Sequence, residues 1–173
     1  LDPASGSFYY TGNGHEALIV RTKELYDNAT PSANGMAITA LLRLGALTSG
    51  AALTETAYRS LEAVRLVLDR APTASGQSLI ALDFFLTVPA EFVVVAPPLD
   101  NEFRAVLETL YSKFLPNKVV APAQVESADE EKVIPLLQGR PIHNGRTTTY
   151  ICERMTCRAP VVGVAGLLGA LGG

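Results

Sequence analysis

The stretch ANGMAITALLRLGAL, residues 33–47, decides the fold that this sequence predicts. Its apolar residues fall almost all round a helical wheel, which is typical of a helix that is buried on most sides. Ser32 is placed to cap the first turn and Pro31 cannot lie inside the helix, so we expect the helix to begin here.

The next two predicted helices differ in how their apolar residues are arranged. Residues 53–70 repeat leucine and valine at three- and four-residue spacing with charged residues opposite, as in an amphipathic outer helix. Residues 77–88 are again nearly all apolar. Buried and amphipathic helices alternate in a two-layer ring of α-hairpins, whereas a simple bundle would make every helix amphipathic. We therefore expect a mainly α fold, a partial (α/α) toroid whose other hairpins precede Leu1.

A small α/β part is predicted after Pro89. The continuous apolar run at 92–96 is typical of a buried strand, residues 101–115 are amphipathic, and 118–121 form a second β-prone run. A strand, a helix and a strand with this spacing indicate a parallel pair joined by a crossover helix.

Two regions follow from these patterns. Residues 1–90 are predicted to hold the last hairpins of the ring and an N-terminal β-hairpin, with strands at 7–11 and 17–20. Residues 91–173 are predicted to form a small α/β C-terminal subdomain.

The composition indicates a piece of a longer protein, an expectation that the first residue, Leu1, also suggests. Hydrophobic residues make up 48% and charged residues 18%, below the average of about 25% charged, so one flank is expected to pack on another part of the parent. The net charge of −3 offers no basic face for nucleic acid. The longest apolar run, 161–173, is shorter than the roughly 20 residues that span a bilayer. Without a secretory signal, a cytoplasmic location is expected.

Several short motifs, in order along nearly the whole chain, resemble the spermatogenesis-associated, thioredoxin-domain-containing protein family. The motifs are Gly6-x-Phe8-x-x-Thr11, Arg21-x-Lys23, Asp27-x-Ala29-x-Pro31-Ser32-x-Asn34, Leu41-Leu42-Arg43-Leu44, Gly145-x-x-Thr148-x-Tyr150-x-Cys152 and Cys157-x-x-Pro160. The chain departs from the family at Asn28, where glycine is expected, and at Gly35, where a small polar residue is usual.

The resemblance implies a thioredoxin-like domain and further helical hairpins upstream, which would be the partners of this segment. It also implies an (α/α) barrel of the six-hairpin glycosidase type. Any enzymatic activity of the full-length parent would then be carbohydrate-directed, of a glycosidase or epimerase kind.

The polar segment before the first helix is the candidate ligand-binding site. A helix N-terminus offers free N–H groups that suit anions or sugar hydroxyls, and the polar side chains around it are Arg21, Lys23, Asp27, Ser32 and Asn34. In the alternative interpretation these residues are structural: Asp27 and Ser32 cap the helix, and Arg21 pairs with Asp27.

Asp27 and Asp83 are the candidate catalytic residues, because they are the acids expected in sheltered settings and a glycosidase needs two carboxylates. An acid in an apolar helix can act as a proton donor, but more often it accepts a structural hydrogen bond.

Cys152 and Cys157 are the candidate redox residues. Their spacing is wider than the usual Cys-x-x-Cys, so buried or loosely paired thiols are the alternative. A zinc site would need two more ligands, and only His15 and His143 are available, far apart in sequence, so neither a metal nor a cofactor is predicted.

Three functions remain open at this point. The first is a segment that lines a cavity for a carbohydrate-like or small polar ligand. The second is a thiol-redox or chaperone-type accessory module for a thioredoxin-like domain, which requires adjacent sulfurs of which at least one is exposed. The third is a non-catalytic interaction domain whose apolar flank docks on the rest of the parent.

Overall fold

The computed structural model describes residues 1–12, 14, 19–125, 134–154 and 156–172. These residues divide into two compact units, one of residues 1–45 and 50–87 and the other of 46–49 and 88–173. Each unit has its own core.

The first unit contains three α-helices, which follow the sequence prediction closely. They are α1 (Ala33–Thr48), α2 (Ala51–Arg70) and α3 (Gly76–Leu86), with a short 3₁₀ turn, Pro72–Ala74, before α3. The core combines one stripe from each helix: Ile38, Leu42, Ala57, Leu61, Val64, Val67, Ala81 and Phe84.

The apolar helices α1 and α3 are less buried than their sequences suggest. In α1 the buried positions form a single stripe, while Met36 and Leu44 are about half exposed. In α3, Ile80 and Leu86 are exposed as well. Hydrophobicity all round a helix therefore did not identify which of its faces is covered within this chain.

The predicted N-terminal β-hairpin is not formed by the residues that the structure describes. Residues 7–11 contain no strand, and their backbone link to the following segment is the Tyr10 N–H donating to the Thr22 carbonyl at 2.9 Å. In the second predicted strand, residues 17 and 18 lie outside the described residues, and Ile19 and Val20 are exposed without strand pairing.

The second unit is built on a mixed five-stranded sheet. The strands are β1 (Ala90–Ala96), β2 (Lys118–Gln124), β3 (Thr148–Glu153), β4 (Thr156–Cys157) and β5 (Val161–Val162), in the order β2-β1-β3-β4 with β5 also paired to β3. Strand β1 is parallel to β2 and antiparallel to β3. The helix α4 (Asn101–Ser112) connects β1 to β2, which confirms the predicted crossover.

One face of the sheet is covered by α4 and by α5 (Gly163–Leu171). The core between them is Phe92 and Val94 of β1, Val106 and Leu110 of α4 and Leu167 of α5. Gly163 joins β5 to α5 with a φ of +66°, and a Cβ there would lie 2.8 Å from Glu102 Oε1, so only glycine fits this junction without a shift.

The predicted fold class, a mainly α partial (α/α) toroid, is wrong. The described residues have a sheet-containing α/β fold, in which five helices accompany five strands. The physical reason is that helix periodicity indicates which residues are buried but not what buries them, and the strands after Pro89 form a main structural layer rather than an appendage.

The core of the second unit provides a stability test on α4. Replacing Leu110, which is fully buried, with alanine should lower the free energy of unfolding by about 2–5 kcal/mol, because it removes packed methyl groups and leaves a cavity. The matched control is Phe114→Ala just after α4, where the side chain is 92% exposed and a change within about 0.5 kcal/mol is expected. Urea unfolding measures both, and equal losses would contradict the described packing.

Candidate functional site

A disulfide joins Cys152 at the end of β3 to Cys157 in β4. The two residues are directly opposite each other in the antiparallel β3–β4 pair, and their Cα atoms are 3.9 Å apart. The Arg158 N–H donates to the Ile151 carbonyl at 3.0 Å, which makes Cys152 and Cys157 a non-hydrogen-bonded pair, the kind in which side chains approach most closely. The strand register therefore holds the two sulfurs side by side.

The two cysteines differ in exposure. Cys152 is 1% exposed, whereas Cys157 is partly exposed and lines a cleft of about 260 Å³. The other residues of this cleft are Ile151, Glu153, Thr156 and Arg158. Cys157 is therefore the member of the pair that lines the cleft, whereas Cys152 is buried.

The cleft also holds a pair of opposite charges. The Arg158 guanidinium lines the same cleft as Cys157 and lies 3.6 Å from a Glu153 carboxylate oxygen, with both side chains mostly exposed. An exposed ion pair of this kind adds little stability. A neighbouring arginine does, however, favour the thiolate form of a cysteine.

The requirement that the sulfurs be adjacent is met, and neither cysteine is free. The structure joins the two cysteines in a disulfide rather than leaving them as buried or loosely paired thiols, and Cys152 is buried. His143, one of the two histidines considered for a zinc site, contacts the Tyr150 hydroxyl at 3.1 Å, and His15, the other, lies outside the described residues.

Asp27 connects the beginnings of two helices. One carboxylate oxygen accepts from the Ser32 N–H and the other from the Gln77 N–H, both at 2.8 Å. Desolvation raises the pKa of Asp27, but the hydrogen bonds from Gln77, Ser32 and Gly76 outweigh it and hold the pKa below its usual value. Asp27 thus caps α1, as the structural interpretation of this segment predicted, and it caps α3 as well.

The other polar residues of this segment are engaged in fixing the backbone. Ser32 accepts from the Gly35 N–H at 3.2 Å and so caps α1 as predicted. The fully buried Asn34 accepts from the Phe8 N–H at 2.7 Å and donates to the Phe8 carbonyl at 3.0 Å and the Glu24 carbonyl at 2.9 Å.

Arg21 and Lys23 meet at the Tyr9 ring, 4.0 and 4.9 Å from its centroid. Arg21 also donates to the Thr11 carbonyl at 2.6 Å, and Lys23 forms an ion pair with Asp2. The segment is thus organised around two centres, the Tyr9 ring and the helix-capping Asp27.

The second catalytic candidate, Asp83, is exposed on α3 rather than sheltered. The expectation of shelter failed because the buried positions of α3 are Ser78, Ala81 and Phe84, and Asp83 is not among them. Its expected counterpart, Asp27, accepts backbone N–H groups. The structure therefore gives these two acids different surroundings.

Sequence reasoning missed Glu91. This acid is only 6% exposed and lies directly opposite Cys152 in the β1–β3 register. The sequence offered one signal: this acid directly precedes the continuous apolar run that was predicted to be a buried strand. Its relation to Cys152 depends on a pairing between strands about 60 residues apart, which the sequence pattern does not reveal.

Fold and site together describe an α/β protein with a cross-strand disulfide beside a cleft. No helix among the described residues is long and apolar enough to cross a membrane.

Comparison with known proteins identifies relatives that share the name spermatogenesis-associated protein 20. The chain is 29% identical over 145 residues to the protein of Rattus norvegicus, 27% over 162 residues to that of Mus musculus and 26% over 145 residues to that of Homo sapiens. These matches cover 83%, 92% and 83% of the chain but only 18%, 20% and 18% of the relatives.

The chain thus spans about a fifth of the length of the curated relatives it matches. Their name agrees with the family that the motifs indicated, at low identity. No protein-family model matches the chain.

The capping role of Asp27 predicts a pH-dependent contribution to stability. Asp27→Ala should lower the free energy of unfolding by about 1–2 kcal/mol at pH 7, because two backbone N–H groups lose their acceptor. Since folding lowers the pKa from its ordinary 3.8, the contribution is present above that value and is lost as pH falls through the folded pKa.

Urea unfolding of wild type and variant between pH 7 and pH 2 measures this difference. The exposed Glu55→Ala on α2 is the control and should change little. A variant difference that stays constant down to pH 2 would contradict the assigned role.

Proposed function

We propose that this chain is a thiol–disulfide exchange module and that the Cys152–Cys157 pair is its reversible redox group. The observation that supports the proposal is a register-paired disulfide with one buried sulfur and one sulfur facing a cleft that also holds Arg158. This arrangement supplies an accessible electrophilic sulfur, a fixed direction of attack and a cation for the thiolate.

A purely structural role for this disulfide is less well supported. The cysteines are separated by 5 positions, so the closed loop is short, and chain entropy gives such a crosslink only about 2 kcal/mol. The hairpin is also already fixed by the β3–β4 and β3–β5 pairings. If the protein resides in the cytoplasm, as the sequence predicts, a disulfide there is usually transient and catalytic or redox-sensing.

The proposed reaction begins at Cys157. An incoming thiolate attacks the Cys157 sulfur from the cleft, its own sulfur becomes bonded to Cys157, and Cys152 leaves as a thiolate. A second thiol of the same reductant then attacks the mixed disulfide, which releases Cys157 as a thiolate and oxidises the reductant to a disulfide. Two electrons move from the reductant to the cysteine pair, and the two departing thiolates take up protons.

The proposed reductant is a protein dithiol of the thioredoxin-like class. The family resemblance implies such a domain in the parent, and the shared name of the relatives supports the family but not this architecture. The thioredoxin-like domain and the remainder of the parent chain are therefore proposed as the partners of this segment.

The carbohydrate-like ligand at Arg21, Lys23, Asp27, Ser32 and Asn34 stays a prediction. The contacts of these side chains with the backbone support the structural alternative for several of them. A carbohydrate-directed activity of the parent likewise stays a prediction.

Redox equilibration tests the exchange function. With dithiothreitol or glutathione buffers, the oxidised chain should convert in one two-electron step, at a potential between roughly −300 and −180 mV. Alkylation followed by mass spectrometry counts the thiols and should show two modified cysteines per reduced chain. A disulfide that stays oxidised at potentials below about −300 mV would overturn the proposal, because that resistance is typical of structural disulfides.

A variant tests the role assigned to the cleft cation. Arg158→Gln should slow the alkylation of Cys157 in the reduced chain at pH 7 several-fold, because a cation in the same cleft favours the reactive thiolate. Arg104→Gln is the matched control, another exposed arginine with an acidic partner, Glu108. Equal alkylation rates in both variants would remove Arg158 from the proposed site.

A second candidate function, an interaction surface, is favoured by a groove between α2 and α3. The groove has a volume of about 370 Å³ and a mainly apolar lining, formed by Tyr58, Leu61, Leu68, Leu79, Leu82 and Phe85. Three charged residues of α2 also line the groove: two acids, Glu62 and Asp69, which are seven positions apart, and one base, Arg65. We propose that the occupant is an amphipathic helix with an apolar stripe and basic residues that face these two acids.

A designed helical peptide tests this surface. A peptide with leucines at i, i+3, i+4 and i+7 and lysines seven positions apart should bind at least about tenfold more tightly than its glutamate counterpart, and Glu62→Lys should reverse the preference. Fluorescence anisotropy measures the affinities, with Glu108→Lys as the control. Equal binding of both peptides, or self-association of the chain through this groove, would overturn the choice of occupant.

A further inference from the structure

Strand β4 lies at one end of the sheet. The strand order among the described residues is β2-β1-β3-β4, and β5 pairs with β3 rather than with β4. One side of β4 is therefore paired with β3, while the other side, its outer edge, has no strand partner among these residues. An edge of this kind presents backbone N–H and C=O groups that an extended chain can bind.

The register determines which backbone groups of β4 point outward. The Arg158 N–H donates to the Ile151 carbonyl, so these two residues form a hydrogen-bonded pair, and the neighbouring pair, Cys152 with Cys157, is non-hydrogen-bonded. In an antiparallel ladder, the N–H and C=O groups of a non-hydrogen-bonded pair point away from the partner strand. The groups that β4 presents at its outer edge are therefore the N–H and C=O of Cys157.

The cleft of about 260 Å³ provides space beside this edge. Its lining includes the consecutive residues Thr156, Cys157 and Arg158, of which the first and last are exposed and Cys157 is partly exposed. Strand β4 contains only 2 residues, so the outer edge offers one pair of backbone groups rather than a long ladder. Backbone pairing alone would therefore hold a segment weakly, and a bound segment needs a second contribution.

The second contribution is a covalent bond to Cys157. A residue opposite Cys157 on an added strand would extend the row that already contains Cys152 and Cys157. Directly opposed residues of antiparallel strands point to the same face, so a cysteine there would meet Cys157 on the side away from Cys152. Cys152 could then displace that cysteine in line. The Cα spacing of a hydrogen-bonded pair, about 5.5 Å, also lies within the usual range for a disulfide.

We propose that the substrate of the reduced pair is a disulfide with one cysteine in an extended polypeptide segment, an inference that rests on the proposed exchange function. The segment adds antiparallel to the outer edge of β4 with that cysteine directly opposite Cys157. The substrate cysteine donates its N–H to the Cys157 carbonyl and accepts from the Cys157 N–H. The thioredoxin-like dithiol proposed above as the reductant supplies the reduced pair.

The reaction consists of two displacement steps. The Cys157 thiolate attacks the substrate cysteine, a disulfide forms between them, and the second substrate cysteine leaves as a thiolate. The Cys152 thiolate then attacks the Cys157 sulfur, which restores the Cys152–Cys157 disulfide and releases the first substrate cysteine as a thiolate. Two electrons pass from the pair to the substrate. The protons of the two thiols go to water, and the substrate thiolates take up protons from water.

The residue before the substrate cysteine lies opposite Arg158 in this antiparallel register. The Arg158 guanidinium is 3.6 Å from a Glu153 carboxylate oxygen, and both side chains are mostly exposed, so this ion pair is weak. Opposite charges on directly opposed residues attract and like charges repel. The segment is therefore expected to carry an acidic residue immediately before its cysteine.

Backbone methylation of a probe peptide tests the pairing. The probe is a short β-prone peptide with a glutamate before its single cysteine, which carries a thionitrobenzoate group whose release by the reduced chain is followed by absorbance. N-methylation of the cysteine removes the N–H that pairs with the Cys157 carbonyl and should slow the release at least about tenfold. N-methylation of the preceding residue is the matched control, because that N–H points away from β4, and the rate should stay within about twofold.

Each rate is divided by the rate of the same peptide with reduced glutathione, which removes differences in intrinsic reactivity. If the three peptides then react equally, or if the control methylation alone slows the release, pairing in this register is overturned while the exchange still supports the proposed function. If mass spectrometry shows that the Cys152–Cys157 disulfide does not re-form after the peptide has reacted, the exchange function itself fails, and the substrate assignment fails with it.

A charge reversal tests the residue opposite Arg158. The glutamate peptide should react at least about threefold faster than its lysine counterpart, and Arg158→Glu should reverse that ratio. Arg104→Glu is the control variant, an exposed arginine on α4 that should leave the ratio unchanged. An unchanged ratio in Arg158→Glu would contradict the antiparallel register, which places the residue before the substrate cysteine opposite Arg158.

Amide hydrogen exchange observes the same pairing without kinetics. In a Cys152→Ser chain the mixed disulfide between Cys157 and the peptide persists, because the second displacement cannot occur. The Cys157 N–H should exchange at least about tenfold more slowly in this complex than in a mixed disulfide with cysteamine, which has no backbone carbonyl to accept it. Equal exchange in the two complexes would overturn the pairing.

Discussion

The pairing of β1 with β3 is the constraint on which the second unit depends. Strand β1 lies between a parallel neighbour and an antiparallel one, so its residues are fixed on both sides by backbone hydrogen bonds. On one face the register places Phe92 and Val94 against α4 and α5. On the other face the same register places Glu91 beside Cys152. A slip of one residue would exchange the two faces, so the core and the candidate redox site are specified by one pairing.

The first unit depends on a different constraint, the satisfaction of helix beginnings. Asp27 accepts N–H groups at the starts of both α1 and α3, and Asn34 binds the backbone of Phe8 and Glu24. Free N–H groups at helix beginnings need acceptors, and one carboxylate with two oxygens supplies them to two helices at once. Polar residues clustered ahead of an apolar helix therefore have a strong structural explanation, which competes with any ligand-binding explanation of the same pattern.

The sequence was sufficient for local structure and insufficient for assembly. Helices α1 to α4, the capping by Ser32 and the parallel β1–β2 crossover followed from periodicity, cap chemistry and spacing, all of which act over a few turns of chain. The toroid did not follow, because apolar residues such as Met36 and Ile80 were assigned to buried faces that are exposed within this chain. The sequence left open whether Cys152 and Cys157 form a redox pair or remain buried thiols, because their bonding requires β4 to pair with β3. The position of Glu91 was not predictable, because it depends on long-range register.

A redox pair on a hairpin, as proposed for this chain, would solve the chemical problem differently from a pair at a helix N-terminus. At a helix N-terminus, the partial positive charge of the backbone lowers a thiol pKa and the turn keeps the sulfurs close. In this chain the sulfurs are kept close by strand register, which does not require the disulfide bond itself and so would hold them adjacent in the reduced form too. The charge would have to come from a side chain such as Arg158, which lines the same cleft as Cys157. In the proposed exchange, strand register would keep the sulfurs adjacent and a cation in the cleft would favour the thiolate of Cys157, two tasks that a helix N-terminus combines in one element.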